Sequence, residues 1–110
     1  MNALAPSELK AMQTNAAEAV GVLRALSNET RLMVLCQLGD GELSVGELNA
    51  LVGLSQSALS QHLAKLRAEG LVATRREAQT IFYRIADARV TALVSALHGI
   101  FCKPAKGRKT

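Results

Sequence analysis

The residues of this chain best suited to covalent chemistry are its two cysteines, Cys36 and Cys102. A thiolate is a nucleophile, a redox centre and a metal ligand. The two residues lie 66 positions apart, which is neither the spacing of a C-x-x-C redox motif nor that of a zinc knuckle. Because free cysteines are often buried and inert, the residues alone predict two small core side chains.

Residues 54–70, which read LSQSALSQHLAKLRAEG, could do a different chemistry, the recognition of DNA bases. Ser55 is a suitable N-cap, and Gly70 suits the left-handed position after a helix end. Three leucines at helical spacing predict one buried stripe: Leu59, Leu63 and Leu66. The stretch therefore predicts a helix with one apolar face.

The remaining faces of this helix carry hydrogen-bonding or basic side chains, and no acid precedes Glu69. The candidate base-reading and phosphate-contacting residues on it are Gln56, Ser57, Ser60, Gln61, His62 and Lys65. A helix in the DNA major groove needs donors and acceptors for base edges and no anions facing the phosphates. An ordinary solvated amphipathic helix has a similar outer face, and His62 could equally cover the edge of the core.

The net charge of +4 is divided unevenly along the chain. Residues 1–54 hold three basic and six acidic residues, whereas residues 55–110 hold ten basic and three acidic residues. The positive surplus thus begins at the candidate reading helix, where a nucleic-acid footprint would place it. No apolar run is long enough to span a membrane, and no signal pattern opens the chain. We expect one domain, 1–110, located in the cytoplasm with the nucleoid.

The order of the other elements follows from hydrophobic spacing. A long first helix from Ser7 is predicted by a seam that suits core packing or a dimer surface: Leu9, Met12, Ala16, Ala19, Leu23 and Leu26. Residues 29–38 predict a second, mostly buried helix, and residues 44–51 a short third helix opened by a capping box. Residues 1–6 are expected to be a loose lead and residues 103–110 a flexible basic tail.

The third and fourth helices, joined at Gly53, predict a helix-turn-helix unit. Residues 71–76 and 80–85 predict two strands, with a loop longer than two residues because no Asn-Gly pair is present. This basic-tipped hairpin suits a DNA-contacting wing, or an edge protected by charge. Asp87 can cap a last helix with an apolar stripe of Val90, Leu93, Val94, Leu97 and Phe101. Candidate DNA contacts beyond the first two turns of the reading helix are Arg67, Arg75, Arg76 and Gln79.

The chain resembles the ArsR–SmtB family of winged helix-turn-helix repressors over about residues 20–102. The resemblance rests on LSNETRLMVLCQL at 26–38, ELSVGEL at 42–48, LSQSALSQHLAKLRAEGLV at 54–72 and QTIFYRI at 79–85. It implies a mainly helical fold with a β-hairpin, in the order α-α-α-α-β-β-α. It also implies a homodimer built from the first and last helices, which binds palindromic operator DNA.

The family's metal sites can be compared position by position. The thiolate pair of the third-helix site falls on Ser44 and Gly46, neither of which is a thiol. The last-helix site falls on Asp87, Arg89, Ile100 and Lys103. Only Asp87 is a ligand type, and the two basic residues would repel a cation. We expect no metal, and no phosphate loop, dinucleotide-binding pattern or HExxH suggests an enzyme or a cofactor.

Within the family, the chain looks most like the dithiol subgroup that includes HlyU, BigR and SqrR. In that subgroup a cysteine of the second helix faces one at the end of the last helix, and Cys36 and Cys102 match those positions. The resemblance implies a redox switch in which persulfides or oxidants crosslink the pair and lower DNA affinity. The alternatives are a HlyU-type antirepressor or activator without a physiological redox switch, a metal-sensing repressor, and a protein-interaction module that does not use DNA.

Overall fold

The computed structural model describes residues 3–102, which form five helices and one three-stranded antiparallel sheet. In chain order the elements are α1 (Pro6–Leu26), α2 (Glu29–Leu38), β1 (Leu43–Ser44), α3 (Val45–Val52), α4 (Gln56–Ala68), β2 (Val72–Glu77), β3 (Thr80–Ile85) and α5 (Ala88–Phe101). This is the mainly helical winged helix-turn-helix arrangement that the sequence predicts. The one addition is β1, a two-residue strand that the sequence does not predict.

The helices begin where their capping residues predict. The side chain of Asn28 accepts from the backbone N–H of Arg31, and the carboxylate of Asp87 accepts from that of Arg89. Ser44 forms the predicted capping box with Glu47, each side chain bonding the other's backbone N–H. Such caps satisfy donors that the first turn of a helix leaves free.

Leucines dominate the core. Its largest fully buried side chains come from α2, α3, α4 and α5 and are Val34, Leu35, Leu48, Leu59, Leu63, Leu66 and Val90. The base of the hairpin joins this core through Leu71 and Val72. Helix α4 and the hairpin are therefore attached to the same core.

The hairpin differs from its prediction at the turn. Glu77 pairs with Thr80, so the loop contains only Ala78 and Gln79. Ala78 adopts a φ of +56°, a conformation that usually calls for glycine or asparagine. The predicted longer loop is therefore wrong, because an alanine takes the left-handed position that no sequence signal marks.

The first helix is exposed along most of its predicted seam, and the second is less buried than predicted. Only the last turns of α1 enter the core, and Leu9, Met12 and Leu23 of its seam are exposed. In α2, Met33 and Cys36 lie at the surface, so the expectation of a mostly buried helix is only half right. The radius of gyration is 16.3 Å, against about 13 Å for a compact domain of 100 residues, as a projecting α1 would give.

The predicted ends fall partly outside the described residues. Ala5 is the N-cap of α1 and Pro6 its first residue, so the helix begins one residue before the prediction. Residues 1–2 and the predicted basic tail, 103–110, lie outside the described part of the chain.

Candidate nucleic-acid interface and thiol pair

Helix α4, the candidate reading helix, is fixed at both ends by local hydrogen bonds. The Ser55 hydroxyl accepts from the Ala58 N–H at 3.2 Å. At the other end, Gly70 has a φ of +76°, and its N–H donates to the Arg67 carbonyl while that of Leu71 donates to the Leu66 carbonyl. This pair of bonds is a Schellman motif, which left-handed glycine makes accessible. Both predicted boundaries of α4 are confirmed.

The faces of α4 are divided as predicted. Its three leucines are buried, whereas the polar candidates are exposed except for the half-buried His62: Gln56, Ser57, Ser60, Gln61 and Lys65. No acidic residue occurs in the first turn of α4. The helix therefore presents an acid-poor surface of amides and hydroxyls, the side chains that can bond base edges in the major groove.

The two neighbouring arginines of β2, Arg75 and Arg76, lie on opposite faces of the sheet. Arg75 pairs in register with Phe82, and Arg76 with Ile81. Residues opposite each other share a face and successive residues alternate. The face of Arg76 is also that of Tyr83, which lines a groove with Ser60 and Arg67 of the reading helix. Arg76 is thus on the α4 side of the hairpin, and Arg75 on the outer side.

Arg75 is already engaged within the protein. Its Nη2 and Nε donate to Oε1 of Glu42 at 2.8 and 3.1 Å, and its guanidinium carbon lies 4.7 Å from the centre of the Phe82 ring. A weaker ion pair joins Arg75 to Glu77 at 3.6 Å. The hydrogen bonds from Arg75 lower the pKa of Glu42. Among residues 3–102, by contrast, Lys65 has only a distant ion pair with Glu69, at 3.7 Å, and both side chains are largely exposed.

Sequence reasoning did not find Glu42. The residue lies 33 positions from Arg75 and just before the short strand β1. No local pattern marks such a pair, and only the register of the sheet brings the two residues together. Gln79, the remaining hairpin candidate, lies exposed in the two-residue turn.

The two thiols line one groove between α2 and α5. The other side chains of the groove are contributed by the α2 C-terminus and by α5: Asp40, Thr91, Val94, Ser95 and His98. Both cysteines are unpaired and exposed, so the expectation of two buried core side chains is wrong. Partial burial raises the pKa of the Cys36 thiol, and the negative charge of a Cys102 thiolate raises it further.

The two candidate metal positions have other structural tasks. Ser44 caps α3, and Asp87 caps α5 while bonding the Arg89 guanidinium at 2.7 and 3.0 Å. These bonds from Arg89 lower the pKa of Asp87. Among residues 3–102, no three metal-ligating side chains lie close enough together to hold an ion. Ile100 is exposed, and Lys103 lies outside the described residues.

Within residues 3–102, no helix has the length and apolar character needed to cross a bilayer.

Comparison with known proteins identifies the family. Residues 28–74 match the family described as bacterial regulatory protein, arsR family. The chain is 54% identical to the transcriptional activator HlyU of Vibrio cholerae, over 90% of this chain and 92% of that protein. The structure of reduced HlyU from Vibrio cholerae superposes with a TM-score of 0.81, at 54% identity, covering 86% of this chain and 99% of that one.

A second solved relative bears the name of a repressor. The structure of the transcriptional repressor BigR from Xylella fastidiosa superposes with a TM-score of 0.80, at 46% identity, covering 86% of this chain and 96% of that one. These matches confirm the resemblance to the HlyU and BigR type. The chain therefore belongs to the arsR family of bacterial regulatory proteins and is a transcriptional regulator, not an enzyme.

Proposed function

We propose that this protein is a dimeric, metal-independent regulator that binds a palindromic operator and is switched by its two thiols. The observation that carries the proposal is the shared groove, in which Cys36 of α2 and Cys102 at the end of α5 are both exposed. A bond between them would tie α5 to α2, and α2 packs on both halves of the helix-turn-helix unit. The operator would place the protein at the nucleoid in the cytoplasm.

The DNA-binding role is supported by the surface of α4 and by charge. We assign base reading to the polar side chains of its first two turns, of which His62 is half-buried and the others are exposed: Gln56, Ser57, Ser60, Gln61 and His62. We assign phosphate contact to Lys65, Arg67 and Arg76, with Gln79 at the tip of the hairpin. A good bidentate contact to a base discriminates by about 1–3 kcal/mol, whereas phosphate contacts position the protein without reading sequence.

The dimer is supported by the exposed apolar side chains of α1 and α5. Leu9, Met12 and Leu23 on α1 are each about half exposed, and Phe101 on α5 is 78% exposed. Apolar surface gains roughly 25 cal/mol per Å² when it is removed from water. A second copy that covers both helices would present two reading helices, with half-sites about 34–36 Å apart.

The proposed switch balances chemically with a persulfide as the effector. One protein thiolate attacks the terminal sulfur of RSSH, takes that sulfur and releases RS⁻. The second thiolate then attacks the inner sulfur of this persulfide, the Sγ of the first cysteine. The attack forms the Cys36–Cys102 disulfide and releases HS⁻. Transfer of one more sulfane sulfur before closure gives a trisulfide. With hydrogen peroxide, the first thiolate takes one oxygen to become a sulfenic acid and releases hydroxide; the second thiolate then displaces the sulfenic hydroxyl, which leaves as water after taking up a proton.

The decisive experiment measures DNA binding and mass for the same samples. An operator is first selected from random duplexes by the reduced protein. The protein is then treated with a persulfide, with peroxide or with Zn²⁺. The mass of each product is determined by mass spectrometry, and its operator affinity is measured by titration. We expect the crosslinked product alone to lose tenfold to hundredfold affinity, about 1.4–2.8 kcal/mol.

Cys36→Ser and Cys102→Ser supply the matched controls, because each keeps one thiol and forms no intramolecular bridge. Loss of operator affinity in a persulfide-treated Cys36→Ser protein would contradict the switch. An affinity change with Zn²⁺ would instead favour a metal-sensing repressor.

A second candidate function is an activator or antirepressor without a physiological redox switch. The observation that favours it is the 54% identity to HlyU, a protein named as a transcriptional activator. The two functions use the same DNA-binding surface. They differ in whether the thiols in the groove between α2 and α5 control DNA binding. Operator binding that is indifferent to every sulfur treatment would support the second.

A further inference from the structure

We infer that Glu42 and Arg75 form a side-chain clamp that fixes the hairpin for DNA binding, and that Arg75 is a positioning residue. The inference deepens the proposed DNA-binding function and rests on it. The role differs from the phosphate contact that the sequence suggests for Arg75. It leaves Arg76 as the cation that β2 offers to DNA on the α4 side of the hairpin.

The clamp crosses the whole sheet on its outer face. The strand order is β1-β3-β2, and Arg75 of β2 stands in register with Phe82 of β3, which in turn pairs with Ser44 of β1. The guanidinium group passes over the Phe82 ring at 4.7 Å and ends on Glu42, two residues before Ser44. One side chain therefore reaches from β2 across β3 to Glu42, the residue that precedes β1.

The clamp lies where the sheet loses its third strand. Only Phe82 and Tyr83 of β3 pair with β1, so residues 76–81 form a two-stranded ribbon beyond it. An isolated two-stranded hairpin is marginally stable in water. Its direction is therefore set at its root, where Arg75 bonds Glu42 through two nitrogen atoms and stacks on an aromatic ring. Paired, planar contacts of this kind suit arginine and not lysine.

The geometry assigns the two arginines different roles. Arg75 has its donors on carboxylates and lies on the face away from α4. Arg76, one position later, lies on the face that Tyr83 shares with the groove beside α4, and it is exposed. Among residues 3–102 it has no ion pair. A hairpin held at the angle that the clamp sets can offer Arg76 to the phosphates next to the helix.

The test compares two neutralised carboxylates that both contact Arg75. Glu42→Gln removes the clamp, whereas Glu77→Gln removes a charge nearer the tip and leaves the clamp in place. If the clamp positions Arg76, Glu42→Gln weakens operator binding about tenfold. The slope of log affinity against log salt then falls by about 0.9 for each phosphate that Arg76 no longer neutralises, twice in a dimer. Glu77→Gln leaves operator binding equal or tighter, because it removes an anion near DNA.

The opposite sign would overturn the inference. If Arg75 itself contacts phosphate, Glu42→Gln frees it, so binding tightens and the salt slope steepens. A charge-swapped protein with Glu42→Arg and Arg75→Glu has the net charge of the wild type. It should restore most of the salt slope that Glu42→Gln loses. In the Glu42→Gln background, Arg76→Ala should cost little further affinity, as expected of coupled residues.

Hydrogen exchange of the free protein keeps the clamp and the DNA function separable. Glu42→Gln should speed exchange of the amides of residues 76–81, and Glu77→Gln should not. A wild-type protein that binds no operator while its hairpin responds in this way would refute the proposed function and retain the clamp. Unchanged exchange in Glu42→Gln would refute the clamp, whatever the DNA result. Thermal unfolding confirms that each variant is folded.

Discussion

Cys36 and Cys102 line the same groove although 66 positions separate them in the sequence. Cys36 belongs to the third turn of α2, and Cys102 is the C-cap of α5. Their position in one groove depends on how these two helices pack. The reactivity of Cys36 therefore depends on Cys102, and this dependence can be measured in the free protein without DNA.

Alkylation should show this coupling. Partial burial and the Cys102 thiolate both raise the pKa of Cys36, so less of it is thiolate at a given pH. We expect iodoacetamide to label Cys36 more slowly than an ordinary exposed thiol near neutral pH. Cys102→Ser removes one of the two causes, so the labelling profile of Cys36 should move to lower pH.

The measurement is peptide-resolved mass spectrometry over a pH series. Cys102→Ala serves as a second control, because it also removes the charge but has no hydroxyl to bond the thiol. An unchanged Cys36 profile in both variants would contradict the coupling.

The dimer surface gives a prediction with an internal control. Leu23 on α1 and Leu51 on α3 are exposed to nearly the same extent, 54% and 56%. Only Leu23 lies on the proposed interface, so Leu23→Glu should dissociate the dimer by placing two like charges in an apolar contact. Leu51→Glu should leave it intact. Sedimentation velocity at micromolar concentration separates the outcomes, and equal effects of both variants would refute an α1–α5 interface.

The sequence predicted what is decided locally. Helix starts were predicted at Ser44, Ser55 and Asp87, because a cap needs only a short polar side chain next to a helical repeat. The leucine stripe of α4 was also predicted locally, because its spacing is visible within one stretch of sequence. The family resemblance, and not the spacing, predicted that the two cysteines face each other.

The features that the sequence did not predict depend on distant residues or on unmarked backbone. The strand β1 has two residues and exists only because Tyr83 and Phe82 pair with it. The turn at Ala78 adopts a positive φ without a glycine. The exposure of Cys36 could not be read from α2, whose residues are apolar on nearly every face. It follows from the absence of a covering element within residues 3–102.

Acid should reveal the bond between Asp87 and Arg89. Hydrogen bonds from Arg89 lower the pKa of Asp87 in the folded protein, whereas an unfolded Asp titrates near 3.9. A lowered folded pKa contributes stability above the unfolded pKa, and that contribution disappears as the pH falls through the folded pKa. Asp87→Asn retains a cap acceptor but has no charge. We expect it to lower the urea midpoint at pH 7 and to match the wild type in strong acid.

The comparison needs urea unfolding of both proteins from neutral pH to below the range of ordinary carboxyl titration. Glu29→Gln is a suitable control, because Glu29 also lies at a helix start but forms no ion pair within residues 3–102. A difference between wild type and Asp87→Asn that stays constant with pH would show that the charge of Asp87 does not stabilise the fold.

Base reading and phosphate contact should separate in two single variants. Gln61 is exposed on α4, where its amide can donate to and accept from a base edge, so Gln61→Ala should lose about 1–3 kcal/mol on the operator and little on scrambled DNA. Arg76→Ala removes a charge that we assign to phosphate contact and not to a base. It should therefore lower the affinity for both duplexes alike and lower the slope of log affinity against log salt by about 0.9 for each phosphate involved. Fluorescence anisotropy with both duplexes over a salt series measures the two quantities together. Equal losses on both duplexes from each variant would refute the division, because an α4 that reads sequence must discriminate through residues that the hairpin does not carry.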